Sequence, residues 1–423
     1  DGFHIARLPF QPERWLEPDP VDPRFLPHAA SAAPAQNLAS RPTPYSPLLT
    51  LRPFFWLPTF LDAGAAGTFW GALTAGQDLV GRHAYAAWLA ADLENGRTTG
   101  SLDYQYAGFG NPTLELGFAR QWEHIGFVRA ATATVRPVIE REHALSLRAN
   151  VLHRRWRSAA TLSLGAERVT RHRQILDAPR LRLRDPVDDL AGATARVALN
   201  TARAYPFSIS PEDGVTLALG VRRRWDIDGD SLREAYDEAS AWAAAYLGFD
   251  LWGHAHHVIA ARTSALARRG PGAQPHDVGG TPATLTSILG LGTGDPPFLP
   301  VRGFPTGTAT GTRAWTASLE YRAPIALVER GSRLRPLFLD DLSATLFLDA
   351  GIAHCSPEEH RRFRCSPDDP DGTTRLLATG AELGLDIALF FLPPVRLRQG
   401  IAFPLLGPAS RRPRSYTALG LAF

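Results

Sequence analysis

Residues 299–350 read LPVRGFPTGTATGTRAWTASLEYRAPIALVERGSRLRPLFLDDLSATLFLDA, and the fold is decided in this stretch. It opens with Val301-Arg302-Gly303-Phe304 in a Gly/Pro/Thr-rich loop. Two alternating runs follow, 313–322 and 342–350. Side chains along a strand point to opposite faces in turn. One face therefore carries Trp315, Ala317, Leu319 and Tyr321, then Leu342, Ala344, Leu346 and Leu348. The other carries Thr316, Ser318 and Glu320, then Ser343, Thr345 and Asp349, with Phe347 as the exception. Each strand thus has one apolar face and one wetter face bearing a single acid.

The order of these elements resembles the BamA-like superfamily of outer-membrane β-barrels, which includes barrel-assembly and two-partner-secretion translocators. Three features carry the likeness: Val301-Arg302-Gly303-Phe304, then Ala317-Ser318-Leu319-Glu320, then Phe347-Leu348-Asp349-Ala350-Gly351. The resemblance implies an all-β chain, a sixteen-stranded antiparallel transmembrane barrel. In that family the sixth extracellular loop folds into the lumen, which would bring Arg302 onto Glu320 and Asp349. A guanidinium in a narrow lumen needs carboxylates, and its planar fork can hold one bidentately. Without the resemblance, the same residues read as a surface turn and a charged hairpin.

Working outward, the chain from about 67 to its end is a succession of short alternating runs separated by turns, the pattern of a membrane barrel. Eleven runs precede the 265–311 loop: 67–75, 85–93, 102–106, 114–118, 126–138, 145–151, 162–164, 190–202, 215–221, 236–248 and 251–264. Five follow it, at 312–322, 341–351, 375–390, 395–403 and 414–423, for a total of sixteen. Long connections at 171–187, 265–311 and 352–373 then follow odd-numbered strands, as extracellular loops should. Connections at 203–213 and 323–340 follow even strands and are longer than short turns.

The last strand alternates Leu419, Leu421 and Phe423 with Ala418, Gly420 and Ala422, after Tyr416. A terminal aromatic after such a run resembles the signal read by the outer-membrane assembly machinery. The first run, with Gly67 and Gly71, would meet 415–423, with Gly420, at a weakly paired seam.

Residues 1–62 differ. They are rich in Pro and Ala and read as an extended tether approaching a barrel of residues 63–423. Asp1-Gly2-Phe3-His4-Ile5 is similar to the last strand of a blade in TolB-like propellers, so an upstream-encoded propeller or protease fragment is an expected partner. The family's POTRA domains have no counterpart in this stretch. With no initiator Met, the chain reads as a mature or processed product.

Composition restricts the function classes. No run of ~18 apolar residues provides a helical membrane span. The formal net charge of +3 is too small to point to nucleic acid. Arg222 to Arg224 and Arg411 to Arg414 lack interleaved aromatics for stacking bases. Cys355 and Cys365 lie close together in a polar loop, which fits a disulfide in an oxidising compartment better than a metal site; two free thiols is the alternative. His254, His256 and His257 crowd one strand without a nearby carboxylate in sequence and read as lumen-lining. Asp226-Ile-Asp-Gly-Asp230 has Ser231 and Asp237 where a calcium loop needs Gly and Glu. Gly290-Leu-Gly-Thr-Gly294 lacks the Lys and helix of a phosphate loop. No cofactor, metal or catalytic centre is expected. The expected setting is the outer membrane of a Gram-negative-type bacterium, with its lipid as one partner. The function reading is translocation or membrane assembly of an unknown client polypeptide. A passive anchor for a periplasmic or surface partner is the second reading, and a secreted propeller hydrolase the third.

Overall fold

The computed structural model describes residues 45–129, 135–176, 187–227, 235–251, 254–281, 299–332, 335–359, 365, 372–389, 395–408 and 412–421. Two compact units divide between Pro47 and Leu48, and every described strand belongs to the second. Residues 1–44 lie outside the description, and with them the propeller-like opening. So does Phe423.

The strands in chain order are β1 (Leu57–Asp62), β2 (Thr68–Gln77), β3 (His83–Asp92), β4 (Arg97–Tyr106), β5 (Thr113–Arg129) and β6 (Val135–Arg155). Next come β7 (Ser158–Ile175), β8 (Val187–Asn200), β9 (Asp213–Asp226), β10 (Tyr236–Leu251), β11 (His254–Arg269) and two short ones, β12 (His276–Val278) and β13 (Ala309–Gly311). The series ends with β14 (Arg313–Ser332), β15 (Arg335–His354), β16 (Thr373–Leu389), β17 (Val395–Leu406) and β18 (Arg414–Leu421). Sixteen of them form one antiparallel sheet in sequence order, while β12 and β13 form a separate two-stranded sheet inside the long loop between β11 and β14. Among the described residues, the outer edges of β1 and β18 have no recorded ladder partner.

The alternation sorts residues inside-out relative to a water-soluble protein. Leu319 and Leu346 are 52% and 57% exposed, whereas Glu320 and Asp349 on the opposite face are 3% and 2% exposed. Leu89, Leu116, Leu145, Leu164 and Leu219 repeat the pattern on earlier strands. An apolar face continued across so many strands far exceeds the patch a soluble monomer tolerates, and suits hydrocarbon. The sheet also curls. Arg396 at the start of β17 donates to the carbonyl of Ile209, 2.6 Å away, in the connection between β8 and β9. Ile209 lies four residues before β9, a reach of at most about 14 Å. In a flat sheet β9 and β17, six places apart, would be separated by about 29 Å.

The total of sixteen conceals two compensating errors in the sequence reading. Residues 57–62 form β1, not the end of a tether: Leu57 pairs with Leu73 and Asp62 with Thr68. Pro58 disguised this strand, yet an edge strand is where a sheet tolerates proline. In the other direction, 126–138 is not a strand of its own. Its first part completes β5 and its last part begins β6, which run 17 and 21 residues. Glu123-His124 and Gly248-Phe249 do not turn between strands but lie inside β5 and β10. The turn at Glu94-Asn95-Gly96 follows β3, on the same side as the long loops. The supposed connection 323–340 is mostly a continuous hairpin, because β14 extends to Ser332 and β15 resumes at Arg335. The long connections after β7, β11 and β15 keep their places.

Candidate functional site: a loop arginine locked inside the wall

The described parts of the loop between β11 and β14, 270–281 and 299–312, enter the lumen and settle on an apolar patch. Val278, Leu299, Val301, Phe304 and Ala309 from the loop pack with Leu266, Ala314, Ala353, Leu376 and Ala378, and all are buried. These wall residues come from β11, β14, β15 and β16, where the inward face is apolar rather than charged. Gly303 adopts φ +88°, and a Cβ there would come within 2.9 Å of Ala402. Gly351 leaves the space that Val301 fills, since a Cβ on it would lie 2.6 Å from the valine methyl. Val301, Gly303, Phe304 and Gly351 therefore fix the loop's position, and Arg302 supplies its charge.

Arg302 is 1% exposed. Its Nε donates to Asp349 Oδ2 at 2.7 Å and its Nη2 to Asp349 Oδ1 at 2.7 Å, a fork on one carboxylate. The backbone N–H of Arg302 also donates to Asp349 Oδ2, at 3.0 Å. Nη2 reaches Glu320 Oε1 at 2.8 Å and Ser318 Oγ at 3.0 Å, while Nη1 reaches Glu382 Oε2 at 3.2 Å. The guanidinium lies 3.7 Å above the Phe347 ring, which accounts for the one aromatic that broke the alternation of β15. Cation–π contact is strongest where water is excluded, as it is at this site.

The carboxylates have further partners. Glu320 also accepts from Arg262 and from both Nε and Nη2 of Arg322. Glu382 accepts from the Tyr416 hydroxyl on β18 at 2.7 Å. The network thus extends from β11 to the last strand. Sequence reasoning brought Arg302, Glu320 and Asp349 together, and it missed Glu382, Ser318 and the stacking role of Phe347. Glu382 was legible by the same rule, since it is an inward acid in the alternating run Gly380-Ala-Glu-Leu-Gly-Leu-Asp386.

A second inward element lies at the opposite end of the wall. Residues 201–212, a connection on the short-turn side, bury Ile209 and Ser210. The Arg396 that holds the Ile209 carbonyl also forks onto Asp386, with Nε and Nη2 at 2.5 and 2.6 Å. Glu212 bonds the Ser208 hydroxyl and lies 2.6 Å from His256 Nδ1. The sequence reading of these histidines is corrected in one respect: His256 does have a carboxylate neighbour, contributed by a segment distant in sequence. His257 instead meets the Tyr321 hydroxyl at 2.9 Å. Among the described residues, no cluster of His, Cys, Asp and Glu could hold a metal ion.

The seam residues are placed differently from expectation. Gly67 sits in the turn before β2, and Gly71 lies within β2, paired with Thr59 of β1 and Ala90 of β3. Neither is on an edge, because β1 occupies that place. Tyr416 and Gly420 are on the other edge strand, β18, opposite Gly400 and Arg396. Cys355 and Cys365 are bridged. Their loop is tied to the base of the inserted one through Glu359, which accepts from the hydroxyl of Thr312 at 2.9 Å and the N–H of Ser356 at 2.7 Å. Burial would raise the Glu359 carboxyl, but these donors hold it below the usual range.

Three solved structures share this architecture. CdiB from Escherichia coli aligns with a TM-score of 0.55 and 14% identity over 86% of the chain. The chain has the fold of the BamA-like outer-membrane barrels. BamA from Haemophilus ducreyi lacking POTRA domains 1–3 aligns at 0.52 and 12% identity over 86% of the chain, and CdiB from Acinetobacter baumannii at 0.51 and 12% over 87%. The chain spans 62% and 60% of the two CdiB chains and 69% of that BamA chain. No protein-family model and no curated protein matches the sequence. Within this fold, the inserted loop and its acids form a densely hydrogen-bonded polar cluster of the lumen.

Proposed function

We propose that this chain is an outer-membrane barrel that assists the translocation or membrane assembly of a partner polypeptide, with its inserted loop as the element that sets the resting state. The observation carrying this reading is the four-way engagement of Arg302 by Asp349, Glu320, Glu382 and Phe347. A passive wall has no need of a loop held in its lumen by buried charge. A loop gripped by discrete ionic contacts has two states, held and released, as a gated conduit requires. The likeness to CdiB and BamA supports the same class of activity, as does the motif set shared with the barrel-assembly and secretion translocators.

The test uses the purified chain in liposomes, with an unfolded eight-stranded outer-membrane barrel as probe client. Acceleration of its membrane folding, lost on Arg302→Ala in a barrel that still folds, supports the proposal. Inert liposomes, with neither acceleration nor ion conductance, favour the second reading, an anchor holding a periplasmic or surface partner. One observation speaks for that alternative: 201–212 is held inward at the other end of the wall, with Arg396 on the Ile209 carbonyl and Ile209 and Ser210 buried.

A further inference from the structure

The outer wall is not uniform. Facing outward on β10 are Ala239, Ala241, Ala243 and Ala245, and beside them on β11 Ala261, Thr263, Ala265 and Ala267. The strands on either side present larger groups outward: Leu219 and Val221 on β9, Trp315 and Leu319 on β14. Adjacent strands lie about 4.8 Å apart, so two alanine strands leave a trough about 14 Å across between the flanking ridges. Two adjoining depressions of about 900 and 910 Å³ occupy its upper part, sharing Ala239, Ala267 and Val221 in their lining. The Trp315 indole N–H donates to the Thr263 hydroxyl at 2.7 Å, which fixes the indole as a wall of the trough.

The upper mouth is basic. Arg223, Arg269 and Arg313 line it, at the strand ends nearest the long loops. Two acids also line it: Glu238, on the lumen face and held by Arg222 and Arg268, and Asp237, 3.6 Å from Arg223 in a pair that is 75% and 64% exposed and adds little binding energy. With Arg222 and Arg268 counted, five guanidiniums against two carboxylates leave a balance of +3. Arg269 has no carboxylate partner among the described residues, and Arg313 acts on Glu359 only through space. An apolar trough ending in unneutralised guanidiniums matches a ligand with several acyl chains and a phosphorylated head, since guanidinium forks hold phosphate bidentately. The long-loop side faces the outer leaflet in this barrel type.

We infer that the alanine trough of β10 and β11, with Arg223, Arg269 and Arg313 at its mouth, binds a phosphorylated, multiply acylated glycolipid of the lipid A type. Acyl chains lie over the alanines, and a head-group phosphate sits among the arginines. The site is on the lipid side of the wall, and the inference is independent of any client.

The experiment is native mass spectrometry of the detergent-purified full chain, titrated separately with bisphosphorylated lipid A, its dephosphorylated form and phosphatidylglycerol. The folded state of every variant is checked by heat-modifiable gel migration. Lipid A is expected to be retained at least about tenfold more than the other two, as a phosphate contact by a charged donor implies. Arg269→Gln with Arg313→Gln should abolish that preference, and Ala265→Trp should block retention while leaving the mouth intact. Both changes lie on the outer surface, away from the lumen network. Equal retention of dephosphorylated lipid A, or unchanged retention by the glutamine variant, overturns the inference. So does a dimer whose formation is what Ala265→Trp prevents, because a second copy would then be the occupant.

Discussion

Replacing Arg302 by Ala is the most informative perturbation of this molecule. The variant keeps the backbone N–H on Asp349 but loses the Nε and Nη2 bonds to that carboxylate. The other two acids are less affected. Glu320 retains Arg262 and Arg322, and Glu382 retains the Tyr416 hydroxyl. The cost therefore concentrates on Asp349, a buried carboxylate stripped of its counter-charge, a situation worth about 3–5 kcal/mol. Loss of the Phe347 contact adds about 1–2 kcal/mol where water is excluded. Urea unfolding in detergent micelles, followed by gel mobility of the folded barrel, measures the sum. Arg302→Met paired with Asp349→Asn should recover much of the loss, because the Asp349 position then carries no stranded charge. Arg302→Lys should recover less, since an ammonium cannot make the fork. A loss below about 1 kcal/mol for Arg302→Ala would refute the argument, because it would mean the site is wet or the loop undocked. A double variant no better than the single one would show that stranded charge is not the cause.

Glu382→Gln keeps one acceptor oxygen for Arg302 and turns an amide N–H toward the Tyr416 hydroxyl, which can accept it, but removes one charge, so a smaller loss of about 1–3 kcal/mol is expected in the same assay. Arg396→Gln frees the Ile209 carbonyl and strands Asp386, and planar-bilayer recordings should show a larger or more frequently open conductance than the parent. Burial, and then Arg268, push His276 in the inserted loop down to about 3. Its unfolded form takes up a proton near pH 6.5 while its docked form does not. Docking should therefore weaken as pH falls from about 6.5 toward 3, and His276→Gln should flatten that dependence in hydrogen exchange of the loop. Reduction of Cys355–Cys365 releases a constraint worth about 3 kcal/mol to the ordering of its own loop; limited proteolysis should then cut the 355–372 loop, while the barrel, whose sheet does not include that loop, melts nearly as before.

What could be read in the residues follows a physical rule. Strict period-two alternation survives wherever one face meets lipid, so β14, β15 and β18 were recognisable and Glu320 and Asp349 fell on the lumen side. The reading failed where the alternation was interrupted for reasons local to the fold. Proline concealed β1, although an edge strand has no second ladder for proline to spoil. Register shifts near Pro324 and between Leu327 and Arg330 made the β14–β15 hairpin look like a loop. The contact between Ile209 and Arg396 joins segments 187 residues apart, and no periodicity encodes such a meeting. Glu382 differs: the motif likeness covers only two acids, and the alternation that places a third acid inward does not say that it reaches Arg302.

The strands of this wall are unequal: six residues are described in β1 and eight in β18, ten in β2, β3 and β4, and twenty or twenty-one in β6, β14 and β15. Ten residues tilted by about 40° rise only about 25 Å, just the height of the apolar band in such barrels. Along β2 to β4 the bilayer has no spare height, and any shortfall there must be met by lipids that thin and tilt, at a fraction of a kcal/mol per Å. Beside β14 and β15 the same leaflets can relax. The molecule thus imposes a thickness gradient around its own circumference, and lipid is easiest to disturb on the side where the chain enters the sheet.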